Sequence, residues 1–261
     1  MKKTTKLWLL IAAALTVLGS LLFVGVMTAY GWDFTKLSTV TYETVTHDIE
    51  AEFHSASIET ETADIRLLPS EDGKCKVICH QEEKVKYNVA VKDGVLEIRI
   101  QDNREWYDYI GIYYDSPAIT VYLPEKDYRT LSVIGSTGDI RMEEIAADSV
   151  TFSLATGDIT LSRLSCRNMT AEVSTGDVEL KNVIASEKIS IETSTGDVEL
   201  DSCDGGEIVI ETSTGDVEGS LLTGKEFIAE TSTGDVEVPK NSAGGRCEIT
   251  TSTGDIEITV E

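Results

Sequence analysis

The stretch Ile191-Glu-Thr-Ser-Thr-Gly-Asp-Val-Glu-Leu200 decides how this chain is read, because its Thr-Gly-Asp core occurs seven times. The repeated glycines are Gly138, Gly157, Gly176, Gly196, Gly215, Gly234 and Gly254, separated by 19 or 20 residues. A period this short, held this long, predicts an all-β, parallel β-solenoid (β-helix) of 19–20-residue coils. If each coil is numbered from residues 131, 150, 169, 189, 208, 227 and 247, positions three, ten and twelve are apolar except at Gly219. Position eleven is mostly Glu. This alternation of period two puts one face of each strand inward. The Ser-Thr-Gly-Asp corner places Gly where a type II turn needs positive φ, and the Asp carboxylate can accept backbone N–H groups there. At about 4.8 Å per paired strand, seven coils rise roughly 34 Å.

The regular coils occupy residues 131–261. Residues 49–130 read as irregular β coils and a cap. Ile58-Glu-Thr-Glu-Thr-Ala-Asp-Ile-Arg-Leu67 is a worn copy of the repeat, with Ala63 in the glycine position. Val121 and Leu123 precede Ile140 and Met142 by 19 residues and share their phase. Asp93-Gly94, between two alternating runs, predicts a type I′ hairpin. The last coil, ending at Asp255-Ile-Glu-Ile-Thr-Val-Glu261, is expected to leave an open sheet edge guarded by Glu257 and Glu261, unless another copy or a partner strand stacks on it.

Residues 1–32 form a separate segment. Lys2, Lys3 and Lys6 precede an uncharged run over residues 7–30, long enough as a helix, at about 36 Å, to cross a bilayer. Lysines before the span predict a cytoplasmic N-terminus and an exported remainder. A cleaved signal peptide is the alternative, although its apolar region is normally about 7–15 residues. The expected location is therefore the cell membrane, as a single-pass protein, with residues 33–48 a juxtamembrane linker.

Beyond the lysine-flanked segment the chain carries 19 basic residues against 46 acidic ones. That excludes nucleic acid and anionic lipid faces as natural partners, since their phosphates would be repelled. The corner carboxylates, among them Asp158, Asp177, Asp197, Asp216 and Asp235, would form a ladder. Glu179, Glu199, Glu218, Glu237 and Glu257 would line one outer face, and Glu172, Glu192, Glu211 and Glu230 another. Like charges on paired strands repel, so hydrogen bonds, hydration or weakly held Ca²⁺ must offset them. No Gly-Gly-x-Gly-x-Asp calcium repeat is present, no cofactor is expected, and no metal-ligand spacing occurs.

Catalysis should appear as a break in the repeat. The breaks, Arg141, Thr160 and Thr250, have no partner set, so the chain reads as a non-enzyme. An extracellular carbohydrate-active β-helix enzyme and a self-assembling, end-to-end scaffold are the alternatives. Arg104-Glu-Trp-Tyr-Asp-Tyr-Ile-Gly-Ile-Tyr-Tyr-Asp115 gathers five aromatics. Trp106, Tyr107, Tyr109 and Tyr113 are candidates for a contact surface, or the rings plug the apolar end of the stack. Of the five cysteines, Cys203 and Cys247 fall on inward positions, Cys166 falls in a return loop and is expected to be exposed, and Cys75 and Cys79, four apart in a strand-like run, could bridge only if the segment turns.

The N-terminal anchor, the Ile58–Ile65 segment, the Val-Lys-Asp-Gly-Val-Leu-Glu-Ile hairpin and the serial Ser-Thr-Gly-Asp coils together resemble a bacterial "putative adhesin" family of unknown function. This is a β-strand-repeat group that includes LiaG-like proteins. The resemblance covers nearly everything after the anchor. It implies a membrane-tethered module outside a bacterial, Gram-positive cell, with a protein or cell-wall partner and, in some members, an association with envelope stress. It supplies no catalytic residues.

Overall fold

The computed structural model describes residues 3–34, 38, 40–108, 115–240 and 244–261. Its chain divides into two compact units, Met1–Thr41 with Arg104–Asp115, and Tyr42–Asn103 with Ser116–Glu261. The first holds one helix, Lys3–Ala29, which is apolar and long enough to span a membrane. The hydroxyls of Thr16, Ser20 and Thr28 each donate to a carbonyl four residues back, so these polar groups are satisfied without water.

The second unit is all β. Its strands pair in register with the equivalent residues of the neighbouring repeat: Ile140 with Ile159, Ile159 with Val178, and Val178 with Val198. The pairing is parallel throughout residues 127–260, and the inward positions close over one core. Positions three, ten and twelve are buried in each of the first four repeats, as the alternation predicts.

Each of the first four repeats turns at two corners. At the first, φ runs from +123° at Gly138 to +148° at Gly215, well past the value of about +80° for a type II turn. Glycine is required there for a second reason as well. A Cβ on Gly196 would lie 2.0 Å from the Gly176 carbonyl oxygen, and the same collision recurs at every repeat glycine. The second corner lies at position fourteen, where Glu144, Arg163, Asn182 and Ser202 adopt φ near +50°. The residues following it return to the ladder, so the return is itself a strand and not a loose loop. Cys166, at position seventeen, consequently faces the core at 8% exposure, paired with Ala147 and Ala185. The expectation of an exposed Cys166 is thus corrected: position seventeen, held by Ala147, Cys166, Ala185 and Gly205 in four successive repeats, points inward.

The repeats do not stack in chain order. Val198–Thr214 pairs with Arg246–Thr253, and it is Arg246–Thr253 that pairs with Glu226–Thr233. The second arms agree, since Val217–Leu221 pairs with Ile256–Val260, which pairs with Val236–Glu237. The last repeat is therefore inserted beneath the sixth, and the open edge belongs to residues 226–237. Glu261 is no edge guard. Its N–H donates to the Leu221 carbonyl and its carboxylate accepts from Ser202 and Ser220.

Charge explains part of this order. Along one outer column the sequence of levels reads Lys188, Glu207, Arg246, Glu226, with alternating sign. Chain order would have set Glu207 against Glu226 and Glu211 against Glu230; the insertion places Arg246 and Thr250 between them. Like charges directly opposite are destabilising, so both changes favour the inserted order. The expected unbroken ladder of Glu172, Glu192, Glu211 and Glu230 is corrected accordingly.

The N-terminal end repeats the manoeuvre. Ser55–Glu59 and Asp64–Pro69, the first level in the chain, lie between later segments: Asp127–Thr137 and Ile140–Thr156 on one side, Val95–Asp102 and Ala118–Leu123 on the other. The match of Ile58 with Val133 is as the sequence implies. Val121 pairs through Leu67 with Met142 rather than Ile140, a two-residue slip that keeps the same face inward. Beyond lie antiparallel strands: Val85–Lys92 forms a hairpin with Val95–Asp102, Cys75–Glu82 pairs with Ala118–Leu123, and Tyr42–Ile49 pairs with Cys75–Glu82. The β region thus begins at Tyr42, inside the expected linker. The Asp93-Gly94 turn has φ of 51° and 76°, consistent with type I′.

Candidate functional site

The corner aspartates form a continuous hydrogen-bonded ladder. Asp64 Oδ1 accepts the Asp139 N–H, Asp139 that of Asp158, and the series continues through Asp177, Asp197 and Asp216 to Asp255 and Asp235, at 2.7–3.1 Å. Each carboxylate therefore serves the next level, not its own turn. The corner is completed by the glycine N–H, which donates to a Thr carbonyl, and by the residue after Asp, which donates to an Asp carbonyl (Gly176 to Thr195 and Val178 to Asp197, both 2.9 Å). These backbone donors offset the repulsion between stacked carboxylates. Asp158, Asp177, Asp197, Asp216 and Asp235 are thereby brought into one row. Among the described residues no three His, Cys, Asp or Glu side chains converge closely enough to hold a metal ion.

A second column changes sign along its length. Arg66 pairs with Arg141, Arg141 with Thr160, and then Glu179, Glu199, Glu218, Glu257 and Glu237 follow as direct neighbours. Two of the breaks in the repeat, Arg141 and Thr160, are thus the point where this face turns from basic to acidic.

The two crossings are the places where chemistry-bearing side chains gather. At residues 222–225 the chain steps over the inserted repeat to reach the outermost level. Lys225, 3% exposed, donates to Asp204, to the Gly205 carbonyl at 2.8 Å and to Thr223 Oγ1 at 2.9 Å. Room for this comes from Gly244-Gly245 in the repeat being crossed; a Cβ on either would strike a neighbouring carbonyl at 1.9 Å. Burial alone would raise the Asp204 carboxyl, but bonds from Lys225 and Thr223, the Lys225 charge and the Gly205 N–H outweigh it and hold the group below its ordinary value. At residues 124–126 the equivalent step carries Lys126. It donates to the Phe53 carbonyl and lies 4.3 Å and 4.9 Å from the Phe53 and Tyr128 ring centroids. Open clefts of about 550 and 560 Å³ flank this lysine, one reaching Arg163 and Glu144, the other Asp72 and Lys74. Neither crossing announces itself in the sequence, since nothing in the repeat marks where the chain leaves its order.

Trp106 and Tyr107 stand out at 75% and 54% exposure, with their rings edge to face at 5.8 Å. Tyr109 and Tyr113 lie outside the described residues. All five cysteines are buried and free, and burial pushes their thiols up to about 11 at Cys75, Cys166 and Cys203 and about 12 at Cys79 and Cys247.

Similar solved structures include a "putative cell adhesion protein" from Clostridium sporogenes (14% identity, TM-score 0.47, covering 85% of this chain and 100% of that one). A "putative adhesin" from Bacteroides fragilis is 16% identical, with a TM-score of 0.49 over 83% of this chain and 97% of that one. Another from Parabacteroides distasonis is 12% identical, with a TM-score of 0.43 over 85% and 98%. No curated protein matches. The model of the Toastrack family (DUF4097) matches residues 53–261, which is most of the chain and nearly all of its β unit, and the protein belongs to that family.

Proposed function

We propose that this chain is a parallel β-solenoid held by its N-terminal helix on the outside of a bacterial membrane, acting by non-catalytic, adhesin-like surface contact or in association with envelope stress. The observation that carries this reading is the corner ladder. The most repeated polar side chain is occupied in joining one level to the next, so repetition serves length and rigidity rather than a reaction centre. Lysines before the apolar helix favour export of everything after it. Exposed Trp106 and Tyr107 offer one contact surface. The Asp158, Asp177, Asp197, Asp216 and Asp235 row retains one carboxylate oxygen per level for weak, secondary Ca²⁺ binding, which would show as a melting temperature raised by millimolar Ca²⁺ and restored by chelator.

The direct test is protease treatment of intact bacteria expressing the chain with a C-terminal tag. Loss of the tag from unlysed cells, with the tagged chain in the membrane fraction at full mass, supports the reading. Tag protection until lysis contradicts export, and a mass short by the first 30 or so residues replaces the anchor with a cleaved leader.

A further inference from the structure

The outermost level of the C-terminal end, residues 226–237, has a partner on one side only among the described residues. Its inward positions show the consequence. Cys247 and Ile249 one level below are fully buried, whereas Phe227 and Ala229 are half-buried and Val236 is exposed. The aspartate ladder also ends here. Asp235 donates its N–H to Asp255, and among the described residues its own carboxylate meets no N–H from a following level. A row of unpaired backbone groups beside half-covered apolar side chains is a template for an added strand.

We infer that this edge receives an extended segment of a partner protein carrying Lys or Arg at positions i and i+4, with apolar residues at i+1 and i+3. The column Lys188, Glu207, Arg246, Glu226 alternates in sign, so the next level that continues it is cationic. Glu230, four residues along the same outward face, asks for a second cation. Between them Phe227 and Ala229 point inward and call for apolar neighbours, and outward Ile228 accepts any residue. The pattern reads the same in both directions, so it holds for parallel or antiparallel addition. Glu237 and Asp235 extend the acidic field, against Lys240 alone among exposed cations of this level; Lys225 is occupied by Asp204.

A second copy fits less well. Two such edges meeting would oppose Glu226 and Glu230 to the same residues. The other end of the stack is basic along Val85–Lys92, but Lys86 and Lys92 are paired with Glu43 and Glu97, and Tyr42–Ile49 projects one strand further on the adjoining arm. The inserted repeat also suits the edge to load. The strand being gripped is an internal segment, pinned by Lys225 before it and by the inserted repeat beneath it, so a pull does not peel the chain from its end.

The proposal rests on the non-catalytic surface reading above and is tested on the full-length protein in detergent micelles. The probe is a fluorescein-labelled peptide with the core Lys-Val-Thr-Val-Lys. Saturable binding is expected, weakened at least about tenfold by E226K/E230K in the protein, by Glu for Lys in the peptide, and by N-methylation at alternate peptide residues, which keeps charge but blocks pairing. Equal binding of the N-methylated peptide would overturn strand addition, as would no binding to protein whose circular dichroism is native. Self-association abolished by E230K would assign the edge to a second copy and overturn the partner class. Any of these leaves the protease result on intact cells untouched, so failure of the edge and failure of the surface reading are distinguishable.

Discussion

At the N-terminal end of the stack, residues 124–126 carry the chain past the level of residues 55–69; at the C-terminal end, residues 222–225 carry it past the level of residues 246–260. Both steps set the first or the last parallel repeat of the sequence between two levels formed by segments nearer the middle of the chain. What lies beyond differs. The N-terminal end continues into antiparallel strands that cover the core, while the C-terminal end stops, among the described residues, at a single-sided strand. The lysines differ in the same sense: Lys126 is exposed and lies against rings, whereas Lys225 is buried on a carboxylate. One end is built to be finished, and the other to be continued.

The strongest way to break this comparison is truncation after Lys240. Cys247, Ile249, Ile256 and Ile258 leave the core, and residues 226–237 lose the strands they pair with among the described residues. At roughly 1.5–3 kcal/mol per buried apolar side chain, the loss is about 6–12 kcal/mol. Hydrogen exchange should show protection vanishing over residues 226–237 as well as the deleted segment; retained protection there would mean that the last repeat lay outermost. Next in size is Gly→Ala at two levels. Gly215 and Gly234 meet the same collision, at 2.0 and 2.1 Å, but Gly215 is held between two levels and Gly234 lies on a free one. Chemical denaturation should give a loss of about 3 kcal/mol or more for G215A and nearer 1 kcal/mol for G234A.

The lysines come third. Lys225→Met leaves Asp204 without its cation at a largely buried site and should cost about 2–4 kcal/mol, against about 1 kcal/mol or less for Lys126→Met. Asp204 has a folded pKa below its unfolded one, so its contribution is present above about pH 4 and is lost as pH falls through the folded value. The difference between wild type and K225M should therefore narrow on acidification below about pH 4, measured by urea titration. The smallest effect sets an interior baseline for both ends. Arg163 sits at φ 51°, and R163G should stabilise by about 0.5–1 kcal/mol, read as a small rise in melting temperature.

Much of this was legible from periodicity. Positions three, ten and twelve face inward, Cys203 and Cys247 lie in the core, and Ile58 matches Val133 because alternation and period are properties of single strands. The order of levels was not legible. Every repeat offers nearly the same pairing surface, so nothing local says whether residues 246–260 lie above or beneath residues 226–237. The deciding residues, Arg246, Thr250, Gly244, Gly245 and Lys225, acquire meaning only from neighbours one level away. The second corner was hidden for another reason: Glu144, Arg163, Asn182 and Ser202 share a backbone conformation but no side-chain chemistry. Likewise Val121 was placed two residues out of step, since a slip of two preserves which face is buried.

The inserted order is tested most directly by engineered disulfides on the exposed column Glu211, Thr250, Glu230. Adjacent parallel strands lie about 4.8 Å apart, within reach of a disulfide, and strands two levels apart, at about 9.6 Å, are not. The native thiols are buried and will not compete. E211C/T250C should oxidise readily in the folded protein, and E211C/E230C should remain reduced. Efficient cross-linking of 211 to 230, with 211 to 250 unreactive, would contradict the account.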